Sequence, residues 1–162
     1  MAAGELCFLG EYEYAVDAQR RLAIPKAWRQ GAAASHVFYL LPGRDRSLQL
    51  VPGMVFRELL EKLRPVSFAD ARASMALATV GSMAQECRCD HQGRIGLTPK
   101  LLAHAGLRDK ALLLGAVTTI QIWAPATWRR QQMDSGAGLD VIQGLQERPD
   151  ALSEILRKAV RT

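Results

Sequence analysis

Several things that common protein classes need are scarce or missing in this chain. Cysteine occurs three times in 162 residues; so small and odd a count argues against a disulfide-stapled secreted scaffold and for a reducing cytosol. No stretch approaches the roughly 20 apolar residues that cross a bilayer. The opening "MAAGELCFLGE" has neither a basic segment nor a long apolar run to serve as a leader. A cytoplasmic location with no membrane partner is therefore expected. No glycine-rich phosphate loop, Ser-His-Asp set or paired carboxylates stand out. The expectation is a protein that is not an enzyme, uses no cofactor and takes no small-molecule ligand.

The histidines and cysteines add little chemistry. His36 and His104 have no acid, Ser or Cys nearby in sequence and read as surface or helix-end residues. Cys87, Cys89 and His91 alternate, which would align them on one face of an extended strand. Structural zinc usually takes four ligands, often from two loops, with two or more residues between paired cysteines. The three are read as ordinary small or half-buried residues, and no metal is expected.

What is present is a large apolar fraction, 49%, enough for a core, and a net charge of +5 that suits a polyanion. There is also an internal repeat. "VDAQRRLAIPK" (Val16–Lys26) and "CDHQGRIGLTPK" (Cys89–Lys100) carry the same D-x-x-x-R turn, with Asp17 and Asp90 73 positions apart. At that offset Gln19 meets Gln92, Arg21 meets Arg94, Leu22 meets Ile95 and Ile24 meets Leu97. "SLQLVP" (Ser47–Pro52) and "TIQIWAP" (Thr119–Pro125) are two more matching alternations, each followed by a helical stretch.

The chain thus divides into a first half (8–64), a second half (65–133) sharing one core with the first, and a linker and helical tail (134–162). Strands are expected before each Asp turn, at Leu22–Ile24, Val37–Leu41 and Ser47–Val51, and at Ala111–Leu114 and Thr119–Ala124. Val55, Phe56, Leu59, Leu60 and Leu63 form the apolar stripe of a helix over 54–64. Pro25 suits the start of a short helix, with Gly31 as its stop. Ser67 is read as the cap of an alanine-rich helix to about Val80. Thr98, Pro99 and Gly106 bracket another short helix, and a further helix starts at Thr127. "DSGAG" reads as a linker, and Ala151–Arg161 as one more amphipathic helix or a frayed end. Trp28, Trp123 and Trp128 lie in apolar-periodic segments and read as packing groups.

Aspartate opens turns because its carboxylate accepts backbone N–H groups a few residues on. Glycine at Gly93 suits a positive φ. Arg21 and Arg94 leave the turns at the start of the return strands. Each can pair with its own Asp, or offer a planar fork to phosphate oxygens or the O6/N7 edge of guanine. Gln19 and Gln92 sit at the tips, where an amide reads adenine or bonds phosphate. Arg20, Lys26, Arg29, Arg88 and Lys100 add positive charge nearby.

These segments resemble the MraZ family of bacterial transcriptional regulators. The resemblance runs from about Phe8 to Met133 and rests on "FLGEYEYAVDAQRRLAIPKAWR", "ECRCDHQGRIGLTPKLLAHAGL" and "IQIWAPATW". It implies an α+β fold with a mainly β core: a pseudo-twofold, double-ψ, swapped-hairpin β-barrel related to AbrB and MazE, with short helices. It implies a homo-oligomeric ring on double-stranded promoter DNA at short direct repeats, controlling the division and cell-wall cluster that includes its own gene, most simply as a repressor associated with the nucleoid. Carried over, Asp17 and Asp90 orient the turns, Arg21 and Arg94 are the main DNA contacts, and Gln19, Arg20, Lys26, Gln92, Gly93 and Lys100 complete the surface. The alternative is a ring-forming interaction module without specific DNA binding. The first turn departs from the family pattern, with Arg20 where glycine is usual. A non-glycine at positive φ costs of order 1 kcal/mol, which leaves room for a reshaped first turn. "RIGLTPK" also carries its proline one position later than "RLAIPK", a shift that the cap Thr98 can absorb.

Overall fold

The computed structural model describes residues 6–29, 37–66 and 68–147. The chain is α+β. In order it runs β1 (Glu11–Ala15), β2 (Arg21–Ala23), a 3-10 turn (Lys26–Arg29), β3 (Val37–Pro42) and β4 (Leu48–Pro52). Then come α1 (Gly53–Leu63), α2 (Ala71–Gly81), β5 (Gln85–Arg88), β6 (Arg94–Gly96) and α3 (Pro99–Ala105). The series ends with β7 (Lys110–Ala116), β8 (Thr119–Trp123), α4 (Pro125–Gln131) and α5 (Ser135–Glu147). Residues up to Arg129 form one compact unit, and those from Arg130 a second. No helix among the described residues is long and apolar enough to cross a membrane.

Six strands form one antiparallel sheet in the order β1-β7-β8-β4-β3-β5, and β2 pairs with β6 in a separate ribbon. The repeat offset of 73 reappears in the pairing. Glu13 faces Leu112 across β1–β7, and its counterpart Glu86 faces Tyr39 across β5–β3. At the centre of the sheet Gln49 faces Gln121, the same position of the two matching alternations. In the ribbon Leu22 faces Ile95, flanked by Arg21–Gly96 and Ala23–Arg94. The two halves are thus related by a local twofold that passes through both pairs.

Among the described residues the strands do not close into the expected barrel. The outer strands β1 and β5 each pair on one side only. The chain leaves each of them through an Asp turn, and the three-residue return strand pairs with the other return strand. A single bridge, Val16 to Leu22, ties β1 back to β2. The return strands are too short to pair with each other and also zip the sheet edges together.

The core lies where the sheet meets the ribbon. Leu22, Ile95, Leu40, Leu48, Leu50, Leu113, Ile120 and Ile122 are all fully buried. Trp28 is buried edge-on to Tyr12, with centroids 5.0 Å apart, and its Nε1–H donates to the Leu9 carbonyl at 3.1 Å. Trp123 is buried beside Trp128, with centroids 5.3 Å apart. Tyr39 stacks on Phe56 at 3.9 Å, which seats α1 against β3.

Helix boundaries follow their caps. Thr98 accepts from Leu101 N–H at 3.4 Å, Pro99 opens α3, and Gly106 closes it at φ 62°. The expected capping residue Ser67 lies outside the described residues, as do Gly31, His36 and the 151–161 segment. Asp70 caps α2, accepting from Ala73 N–H at 2.9 Å, so α2 starts later than the alanine pattern suggested. "DSGAG" is not a linker. Asp134 accepts from Ala137 N–H at 3.1 Å, and the glycines enter the first turn of α5. A good cap outweighs the roughly 1 kcal/mol that each helical glycine costs only when the rest of the helix propagates, and the "LDVIQGLQE" run that follows does so.

A candidate nucleic-acid interface

Each Asp turn is built the same way. Asp17 Oδ1 accepts from the N–H groups of Gln19 (2.9 Å) and Arg21 (2.8 Å), and Oδ2 takes the Arg21 Nε–H at 2.8 Å. Asp90 repeats this with Gln92 (2.9 Å), Arg94 (3.0 Å) and Arg94 Nε–H (2.9 Å). Hydrogen bonds to the ionised form favour it. The backbone bonds from Arg21 and Arg94 lead in holding both carboxyls below the usual range, Asp90 down to about 2.

The two turns lock onto each other. Ile24 N–H donates to the Gly93 carbonyl at 2.9 Å, and Leu97 N–H to the Arg20 carbonyl at 2.8 Å. Arg94 also reaches across, its Nη1 lying 3.8 Å from Asp17 Oδ2. The structure therefore brings Asp17, Gln19, Arg20, Arg21, Asp90, Gln92, Gly93 and Arg94 into one cluster. Gln19 and Gln92 are exposed at the tips, and among the described residues only their backbone N–H groups are engaged. Lys26 begins the 3-10 turn and Lys100 lies in the first turn of α3; both are exposed, and neither has a bonded partner among the described residues.

Arg20 does not reshape its turn. It adopts φ 58° where Gly93 adopts 76°, and Arg20 and Gly93 each donate their N–H to the turn aspartate's carbonyl at 2.9 Å. The cost is borne in the backbone of Arg20. In return an exposed guanidinium stands at the tip. Beside it Gln19, Arg20, Gln85, Arg88 and Thr98 border an open cleft of about 420 Å³.

The motif arginines are less free than their charge suggests. Arg94 spends Nε and Nη2 on Asp90 and faces Asp17 with Nη1, whereas the Arg21 side chain is bonded among the described residues through Nε alone. The unpaired positive charge therefore comes from other side chains. Sequence reasoning placed Arg29 near the turns without a role. The structure lays its guanidinium against Gly93, with Nε–H donating to the Ile24 carbonyl at 2.8 Å. Gln85 was not anticipated either. Its amide spans to β6 and α3, donating to the Gly96 carbonyl at 2.8 Å and accepting from Thr98 N–H at 3.0 Å. No pattern in the sequence marks either contact: Arg29 meets Gly93 from the other half of the chain, and Gln85 reaches across the Asp turn to residues 11 and 13 positions on.

The remaining candidates do not come together as a site among the described residues. Cys87 is buried, Cys89 half-buried and His91 exposed in the turn, and no three His, Cys, Asp or Glu among the described residues group as a metal site. Burial pushes the Cys87 thiol up to about 11 and raises Cys89 as well. His104, at the end of α3, lies 2.9 Å from the Gly43 carbonyl through Nε2.

A family described as "MraZ protein, putative antitoxin-like" matches residues 7–79 and 82–143. The chain belongs to the MraZ family. Among its relatives, "Transcriptional regulator MraZ" of Thermomicrobium roseum is 37% identical over 124 residues, covering 76% of this chain and 86% of the relative. The protein of the same name from Herpetosiphon aurantiacus is 39% identical over 124 residues, 75% of this chain and 84% of the other. That of Alkaliphilus metalliredigens is 32% identical over 142 residues, 86% and 96% respectively. The MraZ match takes in both Asp turns, β4, β8 and most of α5.

Proposed function

We propose that this chain is a cytoplasmic, nucleoid-associated transcriptional regulator that binds double-stranded DNA through its two D-x-x-x-R turns. The observation that carries the reading is the contact of Arg94 with Asp17 across the turns, which makes the two motif copies one surface. Asp17 and Asp90 preset the arginine forks and the backbone of the turn tips, so less side-chain entropy is lost by the arginines on docking. Arg21, with both Nη groups unpaired among the described residues, is the better candidate for a base edge. Arg94, held from three sides, suits phosphate. Arg20, Lys26 and Lys100 supply phosphate contacts that make affinity salt-sensitive, and Gln19 and Gln92 contact base edges or phosphate.

The exchange of β2 and β6 between halves supports a swapped-hairpin core of the AbrB and MazE kind. Halves 8–64 and 65–133 act as one binding body, and 134–162 as a tail. We read the working form as a homo-oligomeric ring. The helix α2 buries no residue and leaves Met75, Leu77 and Val80 exposed, which supports contacts between copies. A ring repeats the surface at a fixed spacing, which suits tandem promoter repeats, where several weak contacts act through effective concentration. The target in this reading is the division and cell-wall cluster including the chain's own gene, and the effect is repression.

The test is fluorescence anisotropy with DNA from upstream of the gene against a scrambled duplex, over a salt series, with light scattering alongside. Tight, salt-sensitive binding that R21A/R94A abolishes while assembly persists supports the reading. Equal weak binding to both duplexes sinks it in favour of a ring-forming interaction module.

A further inference from the structure

The two turns share a backbone but differ at one position, and the difference is compensated in space. At the first turn Arg20 is exposed, its side chain free of any carboxylate among the described residues. At the second turn the same position is Gly93, which is buried. What covers it is Arg29, whose guanidinium lies where a Cβ on Gly93 would stand. Arg29 belongs to the other half of the chain, and counted from the shared proline (Pro25 and Pro99) its counterpart is Ala103, which carries no charge. Arginine at Arg20 and arginine at Arg29 thus occupy alternative routes to the same end.

We infer that Arg29 is a phosphate-binding residue of the second turn, supplied in trans by the first half, and that it is the partner of Arg20 at the first turn. The inference rests on the DNA reading of this surface and deepens it. Arg94 is engaged by Asp90 and Asp17, so Arg29 gives the second turn a guanidinium that no carboxylate among the described residues holds. Arg29 has no carboxylate partner among the described residues. Its one side-chain bond among the described residues, Nε–H to the Ile24 carbonyl, fixes the plane of the guanidinium and leaves both Nη groups to donate. A guanidinium so held suits a phosphate oxygen pair. Each turn then carries two arginines, Arg20 with Arg21 and Arg29 with Arg94. Gly93 is glycine both for its φ of 76° and because any side chain would evict Arg29.

The test measures binding of the full chain to duplex DNA from upstream of its gene, across a salt series, for wild type, R29Q, R29K and R21A/R94A. R29Q is expected to weaken binding about tenfold, as loss of a charge-assisted hydrogen bond does. Its log–log salt slope should fall by about one, with R29K recovering most of the slope. An unchanged slope in R29Q, beside lost binding in R21A/R94A, overturns the role of Arg29 and leaves the DNA reading standing. Unchanged binding in both variants overturns the DNA reading itself. The same question is put to the unsubstituted protein by phenylglyoxal modification read by mass spectrometry. Protection of Arg29 by the duplex supports the inference whatever the variants' stability, and equal modification with and without DNA overturns it.

Discussion

Leu22 faces Ile95 across the β2–β6 ribbon, and the two hold the same place in the two halves of the chain. Both are fully buried. Each is therefore the other's packing partner at the point where the halves meet.

Leu22→Ala or Ile95→Ala should each destabilise the fold by about 2–5 kcal/mol, the range for emptying a buried aliphatic site. The two losses should be similar in size, and the double variant should cost less than their sum because one cavity is shared. Denaturant unfolding followed by tryptophan fluorescence measures all three.

The sites 20 and 93 should respond in opposite directions. Arg20→Gly relieves a non-glycine at φ 58° and should raise stability by about 0.5–1 kcal/mol, roughly 1–3 °C in Tm. Gly93→Ala meets both a φ of 76° and the Arg29 guanidinium, and should lower stability by about 1 kcal/mol or more. Calorimetry of the two variants decides it.

Acid should loosen the turns before the core. The carboxyls of Asp17 and Asp90 titrate below their unfolded range, Asp90 at about 2. Their stabilisation is full above the unfolded value of about 3.9 and fades as pH falls towards 2. The amide signals of Gln19, Arg21, Gln92 and Arg94 should shift across that window in an NMR titration, while core amides stay put until lower pH. Asp90→Asn should flatten the response of its own turn.

The thiols should react in order of exposure. Cys7 is exposed, Cys89 half-buried and Cys87 buried with its thiol pushed up to about 11. With iodoacetamide at pH 8, peptide mass spectrometry should find Cys7 alkylated first. Cys87 should react only in denaturant, since the thiolate is the nucleophile.

Much of this architecture was legible in the sequence because it is local. The Asp turns, the α3 brackets at Thr98, Pro99 and Gly106, and the helix after Pro52 each depend on residues within a few positions of one another. The repeat offset also carried into the register, since Glu13 and Glu86 face Leu112 and Tyr39 at that same spacing. What escaped was non-local or a contest between local signals. An Asp turn closes a hairpin whichever strand the return segment joins, so the pairing of β2 with β6 left no mark. The "DSGAG" glycines argued for a linker, and the bond from Asp134 won the segment for a helix. Arg29 looked like one more basic residue until the fold set it against Gly93.

The crossing of β2 onto β6 has one more consequence. A half with its return strand unpaired lacks the partner that completes its core, so two separate halves would have to find each other by diffusion, at a cost that depends on their concentration. One continuous chain turns that encounter into an internal event. It also ends the identity that a symmetric pair of separate copies must keep. Position 20 and position 93 can then diverge, one an arginine and the other a glycine, and a surface built as two equal hands becomes a left and a right.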